Sequence, residues 1–225
     1  MGRSERRFWG SVYLRGLLLE GERKSAGAMS TRIPEANEQN LQQFLSQSPW
    51  AWNPVWQTMT QRIESAFPAP EAWVIDDTSF PKKGEHSVGV QRQYCRALGK
   101  KANCQVAVSL HRTDRGGSSP LSFRLYLPEV WTEDGDRCQR AGVPDKVMFR
   151  KKWELAVELI DQALSWGAQK PEEVLADSAY GDNGAFRRAL EQRGLPYAVV
   201  VRHDGVVWTE PPTYAVPTTP RASGP

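Results

Sequence analysis

Two acidic positions in this chain have the right company for metal chemistry. Asp76 and Asp77 follow Trp73-Val74-Ile75, and Asp177 follows Val174-Leu175-Ala176. Each apolar run reads as a buried strand, so each acid stands at a strand end, where its side chain can project from the sheet edge. If those strands are neighbours, the carboxylates reach one point in space. Close carboxylates repel unless a proton or cation lies between them, and hard oxygen donors suit Mg2+, which binds one or two carboxylates plus substrate phosphate. The chemistry is then metal-assisted phosphoryl transfer, one ion activating the attacking water or hydroxyl and a second stabilising the leaving oxygen. Taken alone, the pattern also fits aspartates that merely cap turns or open helices.

The elements that must position these acids follow from the periodicity. From Arg7 to about Phe67 apolar residues recur at helical spacing, with breaks at Gly21, Pro34, Pro49 and Pro54. Several short helices are predicted, their tryptophans serving as core, closed by Pro68-Ala69-Pro70. Three strands follow, Ala72 to Ile75, Val88 to Tyr94 and Asn103 to Leu110, with turns at Gly84 and Gly99-Lys100. An antiparallel meander is the simplest connection. Another extended piece, Ser122 to Leu127, precedes a polar insertion running to Asp145; Met148 to Trp166 reads as an amphipathic helix. Then come a strand at Glu173 to Ala176, a helix at Gly184 to Arg193 and a strand at Tyr197 to Val201. That order predicts an α/β fold, a mixed sheet with helices on both faces.

Composition narrows the function classes. The chain has 225 residues, 40% hydrophobic and 24% charged. It contains no run of about 18 apolar residues able to span a bilayer, so no membrane role and a cytoplasmic location are expected. Cys95, Cys104 and Cys138 form no C-x-x-C pair and read as buried or incidental thiols, neither a disulfide framework nor a zinc site. The net charge is only +3, but its distribution is uneven. Residues 1–32 hold seven Lys or Arg against three Glu, and Pro81 to Lys101 holds Lys82, Lys83, Arg92, Arg96, Lys100 and Lys101 against Glu85 alone. Such clusters suit a nucleic-acid backbone or an ordinary solvated face. Thr78, Lys82 and Lys83 are expected at the cleft mouth, where lysine meets phosphate as a point charge; a solvated turn is the plainer alternative.

The longest match to a known pattern begins at the first acids. Asp76-Asp77-Thr78-Ser79-Phe80-Pro81-Lys82-Lys83-Gly84, then His86-Ser87-Val88-Gly89-Val90, Gln93-Tyr94-Cys95, Leu98-Gly99-Lys100 and Asn103-Cys104-Gln105-Val106, resembles the insertion-sequence transposases of the DDE superfamily endonuclease group. Leu125-Tyr126-Leu127-Pro128 with Trp131, Gly142-Val143-Pro144, Lys152 with Glu154-Leu155-Ala156, and Ala176-Asp177-Ser178-Ala179-Tyr180-Gly181 match as well. So do Tyr13-Leu14-Arg15-Gly16-Leu17-Leu18, Glu22-Arg23-Lys24-Ser25 and Ser48-Pro49-Trp50, so that the resemblance covers nearly all of residues 7–208.

The resemblance implies a ribonuclease-H-like fold in which two aspartates and a later glutamate hold divalent ions, Mg2+ or Mn2+. The first aspartate falls on the Asp76-Asp77 pair, with Asp77 preferred because a threonine follows it, and the second on Asp177. Lys82, Lys83, Lys100 and Lys101 are the candidate DNA contacts. Expected partners are double-stranded DNA, at element ends and target, and a second copy of the chain. Three parts are expected: a helical DNA-binding subdomain at 1–70, an incomplete catalytic core at 71–208, and a disordered proline-rich tail at 209–225. Two departures matter. Arg96 stands where the family has glycine, which strains the turn if φ must be positive. After Asp177 only Glu191 and Glu210 remain, neither in the expected setting, so the third carboxylate is missing and little or no transposition activity is expected. The rival expectations are a truncated, non-cutting DNA-binding protein and a ribonuclease-H-like nuclease acting on RNA hybrids.

Overall fold

A computed structural model describes residues 4–49 and 51–205, together with Thr213, so the tail expected to be disordered, including Glu210, lies outside the described residues but for that threonine. The chain divides into two compact units at Val55/Trp56. In the first, helices α1 (Ser4–Leu18), α2 (Ala26–Ser30) and α3 (Glu38–Gln47) close on Val12, Ala26, Met29, Ile33 and Leu41. Small residues let them approach: a Cβ on Gly16 would meet Met29 Sδ at 2.7 Å. Ser25 and Asn37 cap α2 and α3, each side chain accepting a backbone N–H that the first helical turn leaves unpaired.

Helix α4 (Trp52–Ala66) runs across that division. Pro54, expected as a break, sits in its first turn, where a missing N–H costs nothing. Trp52, expected in a core, is 59% exposed.

The second unit is built on a six-stranded sheet: β1 (Ala72–Pro81), β2 (Gln91–Cys95), β3 (Lys100–Asp114), β4 (Gly117–Leu125), β5 (Glu173–Ala176) and β6 (Tyr197–Val199). A 3-10 turn, Arg96–Leu98, joins β2 to β3. Short helices α5 (Glu129–Thr132) and α6 (Gly135–Arg140) fill the polar insertion, followed by α7 (Lys152–Ser165), α8 (Ser178–Gly181) and α9 (Gly184–Gln192). The expected meander does not form. β3 pairs antiparallel with β1 on one side, while on the other its first residues hold β2 and its last hold β4. Fifteen residues give β3 room for two successive partners, so β1 and β2 are never neighbours in the sheet. From β1 the sheet continues in parallel through β5 to β6, giving the ribonuclease-H-like order β4-β3-β1-β5-β6 with β2 added. The mixed sheet and flanking helices agree with the class expected from sequence.

One face of the sheet carries the main core. Trp73 and Ile75 of β1, Val108 and Leu110 of β3, and Val174 and Ala176 of β5 pack with Leu155, Leu159 and Ile160 of α7 and Phe186 and Leu190 of α9. On the other face Trp56 from α4 packs on Phe123, ring centroids 5.7 Å apart. Pro120 is tolerated in β4 because that strand is an edge and its register slips there.

Gly181 closes the turn after β5 against the chain leaving β6: a Cβ there would lie 2.0 Å from Val200 O. That oxygen is backbone, so the chain must shift as a whole. Gly181→Ala is expected to lower stability by about 1–3 kcal/mol, as overpacking does, and thermal unfolding measures it.

Candidate active site

The cleft begins where one strand stops. β5 accompanies β1 from Ala72↔Glu173 to Ile75↔Ala176, whereas β3 follows β1 as far as Pro81↔Cys104. Past Ile75, β1 therefore has no strand on its β5 side among the described residues. Asp76 and Asp77 are consequently mid-strand rather than at a strand end, because pairing with β3 outlasts pairing with β5. Asp177 does follow its strand: it caps α8, its carboxylate accepting from Ala179 N at 3.0 Å.

Strand parity separates the first two acids. Successive side chains alternate faces, so Asp77 shares the core face with Trp73 and Ile75, and Asp76 shares the opposite face with Val74. Ile75 is in register with Ala176, and one step further Asp76 and Asp177 emerge together on that opposite face. A single guanidinium joins them. Arg96 Nη1 donates to Asp76 Oδ1, and Arg96 Nη2 donates to Asp177 Oδ2 at 2.7 Å. All three side chains stay open to solvent, at 49%, 44% and 38% exposed for Arg96, Asp76 and Asp177. Burial disfavours the guanidinium charge, but the charges of Asp76 and Asp177 outweigh it and raise the Arg96 pKa. Arg96 reaches the pair because its turn folds back on β1, where its own N–H donates to Ser79 Oγ at 3.2 Å. No strain attends it: among the described residues no non-glycine has positive φ, and Gly99 takes the left-handed place with φ 63°.

Asp77 has other partners. Its Oδ2 accepts from Lys152 Nζ at 2.5 Å, and its Oδ1 from the Tyr180 hydroxyl at 2.5 Å. Tyr180 is buried against Phe186, and its phenol is held neutral, its pKa raised first by burial and then by Asp77. The tyrosine is therefore packing, not surface. So the structure brings Asp76 and Asp177 together on one cation and gives Asp77 to α7 and α8.

The lysines lie along one margin. Lys82 and Lys83 occupy the exposed loop leaving β1, pinned by Asn103, whose Nδ2 donates to Lys82 O at 3.2 Å and Gly84 O at 2.8 Å. Lys100 and Lys101 open β3 just after the Arg96 turn, and both are exposed. Thr78 is exposed on β1. The three cysteines are free thiols, and burial, with Cys95 beside it, pushes Cys104 up to about 11. Glu191 is a surface residue of α9, accepting from the Tyr197 hydroxyl at 2.8 Å. Among the described residues no group of three or more His, Cys, Asp or Glu is placed to hold a metal. Asp76 and Asp177, joined by the Arg96 guanidinium, are two carboxylates that could together hold a hard cation in its place.

The family model of the DDE superfamily endonucleases matches residues 1–225. A probable transposase for insertion sequence element IS701 from Microchaete diplosiphon is 33% identical over 197 residues, 85% of this chain and 48% of that protein. The chain belongs to the DDE superfamily endonucleases. It groups there with insertion-sequence transposases of the DDE type, and it spans about half the length of the relative it matches.

In this DDE endonuclease chain, sequence reasoning missed the groups that hold the acids in place. Lys152 was legible only as part of a matching block, and nothing pointed to its ion pair with Asp77. His111 belongs to no motif that marks it in the sequence. It stands in register with Val74 on the cleft face, edge-on to Phe123 at 5.4 Å. Burial lowers its pKa and outweighs Asp76, which acts the other way. The unfolded chain therefore takes up this proton more readily than the folded one. Stability is expected to be full above the unfolded value of about 6.5 and to fall as pH drops below it. His111→Gln should flatten that part of a denaturation-against-pH curve. No helix among the described residues is long and apolar enough to cross a membrane.

Proposed function

We propose that this chain carries the first two metal-binding carboxylates of an insertion-sequence transposase, Asp76 and Asp177, in a cleft that receives the phosphodiester backbone of double-stranded DNA. The observation that carries the reading is their convergence, from adjacent parallel strands, on one cation. A Mg2+ or Mn2+ ion held there would polarise a phosphoryl oxygen and favour an attacking water or hydroxyl. Asp177 is aimed by its capping bond to Ala179 N, and Asp76 by the pairing of β1 with β3. Lys100 and Lys101, beside the Arg96 turn, and Lys82 and Lys83, beyond the end of β1, are proposed to position the DNA through its phosphates, without reading sequence. The helices of residues 1–70 are proposed as a DNA-binding subdomain and 71–208 as the catalytic part, working with a second copy of the chain.

With two carboxylates gathered among the described residues, metal binding depends on substrate phosphate for further ligands. This chain alone is therefore expected to bind DNA and to cut it weakly or not at all. Arg96 in the cation's place favours the same outcome, a binding protein rather than a nuclease. Gel shifts on inverted-repeat DNA, run beside a Mg2+-dependent nicking assay, test both. Salt-sensitive binding with little nicking is expected. Strong nicking abolished by Asp177→Asn would show a competent enzyme, and no DNA binding at low salt would sink the reading.

A further inference from the structure

We propose that Arg96 is a built-in counter-cation that competes with divalent ions for the Asp76–Asp177 cleft and so sets the metal affinity of this chain. The inference rests on the reading of Asp76 and Asp177 as the metal pair.

The geometry is that of a latch. Two nitrogens of one guanidinium serve two carboxylates on different strands, Nη1 to Asp76 and Nη2 to Asp177. The charge therefore lies between the two acids that would hold a divalent ion. The two occupants exclude each other. Mg2+ takes its oxygens at about 2.0–2.1 Å and tolerates little departure from octahedral order, and a planar guanidinium within hydrogen-bond reach of both oxygens leaves no such space. Arginine keeps its proton throughout the accessible pH range, so acidity does not clear the cleft. Only displacement does.

The mounting allows displacement. The backbone of the Arg96–Leu98 turn is fixed, with Arg96 N on Ser79 Oγ at 3.2 Å and Gly99 N on Arg96 O at 3.1 Å. The side chain, by contrast, is 49% exposed and can swing into solvent without breaking that turn. Ion pairs this exposed hold weakly, which makes the closed state a modest bias and not a permanent block. A latch closed about nine-tenths of the time weakens the apparent affinity about tenfold, because only the open fraction binds. Removing the side chain also leaves two carboxylates repelling each other, which a divalent ion relieves.

The test is Mn2+ titration of the full chain, by calorimetry and by the loss of the free-ion paramagnetic resonance signal. It compares the wild-type chain with Arg96→Ala, Arg96→Gln, Arg96→Lys, Asp177→Asn and Arg96→Ala/Asp177→Asn. Circular dichroism checks that each is folded. Arg96→Ala and Arg96→Gln are expected to bind about tenfold tighter than wild type. Arg96→Lys should fall between, since one ammonium cannot span both acids as a fork does. The gain should vanish in the double variant. Unchanged or weaker binding in Arg96→Ala and Arg96→Gln, while Asp177→Asn still weakens it, overturns the latch and leaves the metal pair standing. No effect of Asp177→Asn in either background overturns the metal pair itself, and the latch with it. If the alanine variant fails to fold, the glutamine variant decides the matter alone by the same comparison.

Discussion

Asp76→Asn and Asp177→Asn are each expected to weaken Mn2+ binding by on the order of a hundredfold, while Asp77→Asn changes it only a few-fold and lowers thermal stability instead. Even an outer partner of a metal ligand costs about 10–100-fold when lost, so loss of a ligand should cost at least as much. Asp77 faces the core side, where it receives Lys152 and Tyr180 and is 19% exposed. An asparagine there can still accept from Tyr180, but it leaves the Lys152 ammonium without its counter-charge. Bonds to charged groups contribute about 1.5–3 kcal/mol, and the partial exposure of Lys152 puts the expected loss toward the low end. The measurement pairs metal titration with thermal melts of all three variants, in the Arg96→Ala background if wild-type binding is too weak to resolve. Should Asp77→Asn abolish binding and Asp76→Asn leave it intact, the metal pair is Asp77 with Asp177, as the threonine after Asp77 suggests.

Much of the fold could be read in advance because it rests on local pattern. β5 and the main helices fall within a few residues of expectation, since their apolar periodicity is complete and their ends carry glycine or a capping side chain. What could not be read was pairing. Hydrophobic pattern marks a strand but not its neighbour, and the choice of β3 over β2 as partner of β1 is made by fifteen residues that bury one side on β1 and share the other. The hairpin at Asp114–Gly117 also passed unseen. Its signal was present: Gly116 and Gly117 follow two and three residues after Asp114, whose side chain accepts Gly116 N at 2.7 Å.

The site was legible as residue types and only partly as geometry. The Trp73-x-Ile75-x-Asp77 alternation assigns Asp77 to the core face, and the Val174-x-Ala176 alternation assigns Asp177 to the other. Parity alone thus separates Asp76 from Asp77. Arg96 reads from sequence as one of a basic cluster and as a misfit in a turn, because sequence gives no direction to a long side chain. Its role depends on a hairpin folding back over β1, a tertiary event with no local signature.

Arg112→Ala is expected to destabilise the second unit by about 3–5 kcal/mol, the cost of breaking a buried ion pair and stranding its partners. Arg112 is 1% exposed, opposite Trp73 in register, and nothing in the sequence marks it as different from the surface arginines. It donates to Pro68 O, with Asp114 Oδ2 at 3.3 Å and Glu64 Oε1 at 3.9 Å, these carboxylates being 8% and 7% exposed. One side chain thereby ties α4, the segment that leads into β1, and β3 itself. The arrangement is incompletely satisfied: among the described residues Arg112 Nε and Nη1 and Glu64 Oε1 find no hydrogen-bond partner. Incomplete satisfaction means that the charges contribute less net stability than their burial suggests, and that truncating one partner costs more than replacing both. Arg112→Met/Glu64→Met should accordingly recover a large part of the loss seen in Arg112→Ala. Chemical denaturation of the three proteins decides it. Equal losses in the single and double variants would mean that Arg112 acts through its bond to Pro68 O, which anchors the start of β1, and not through its charge.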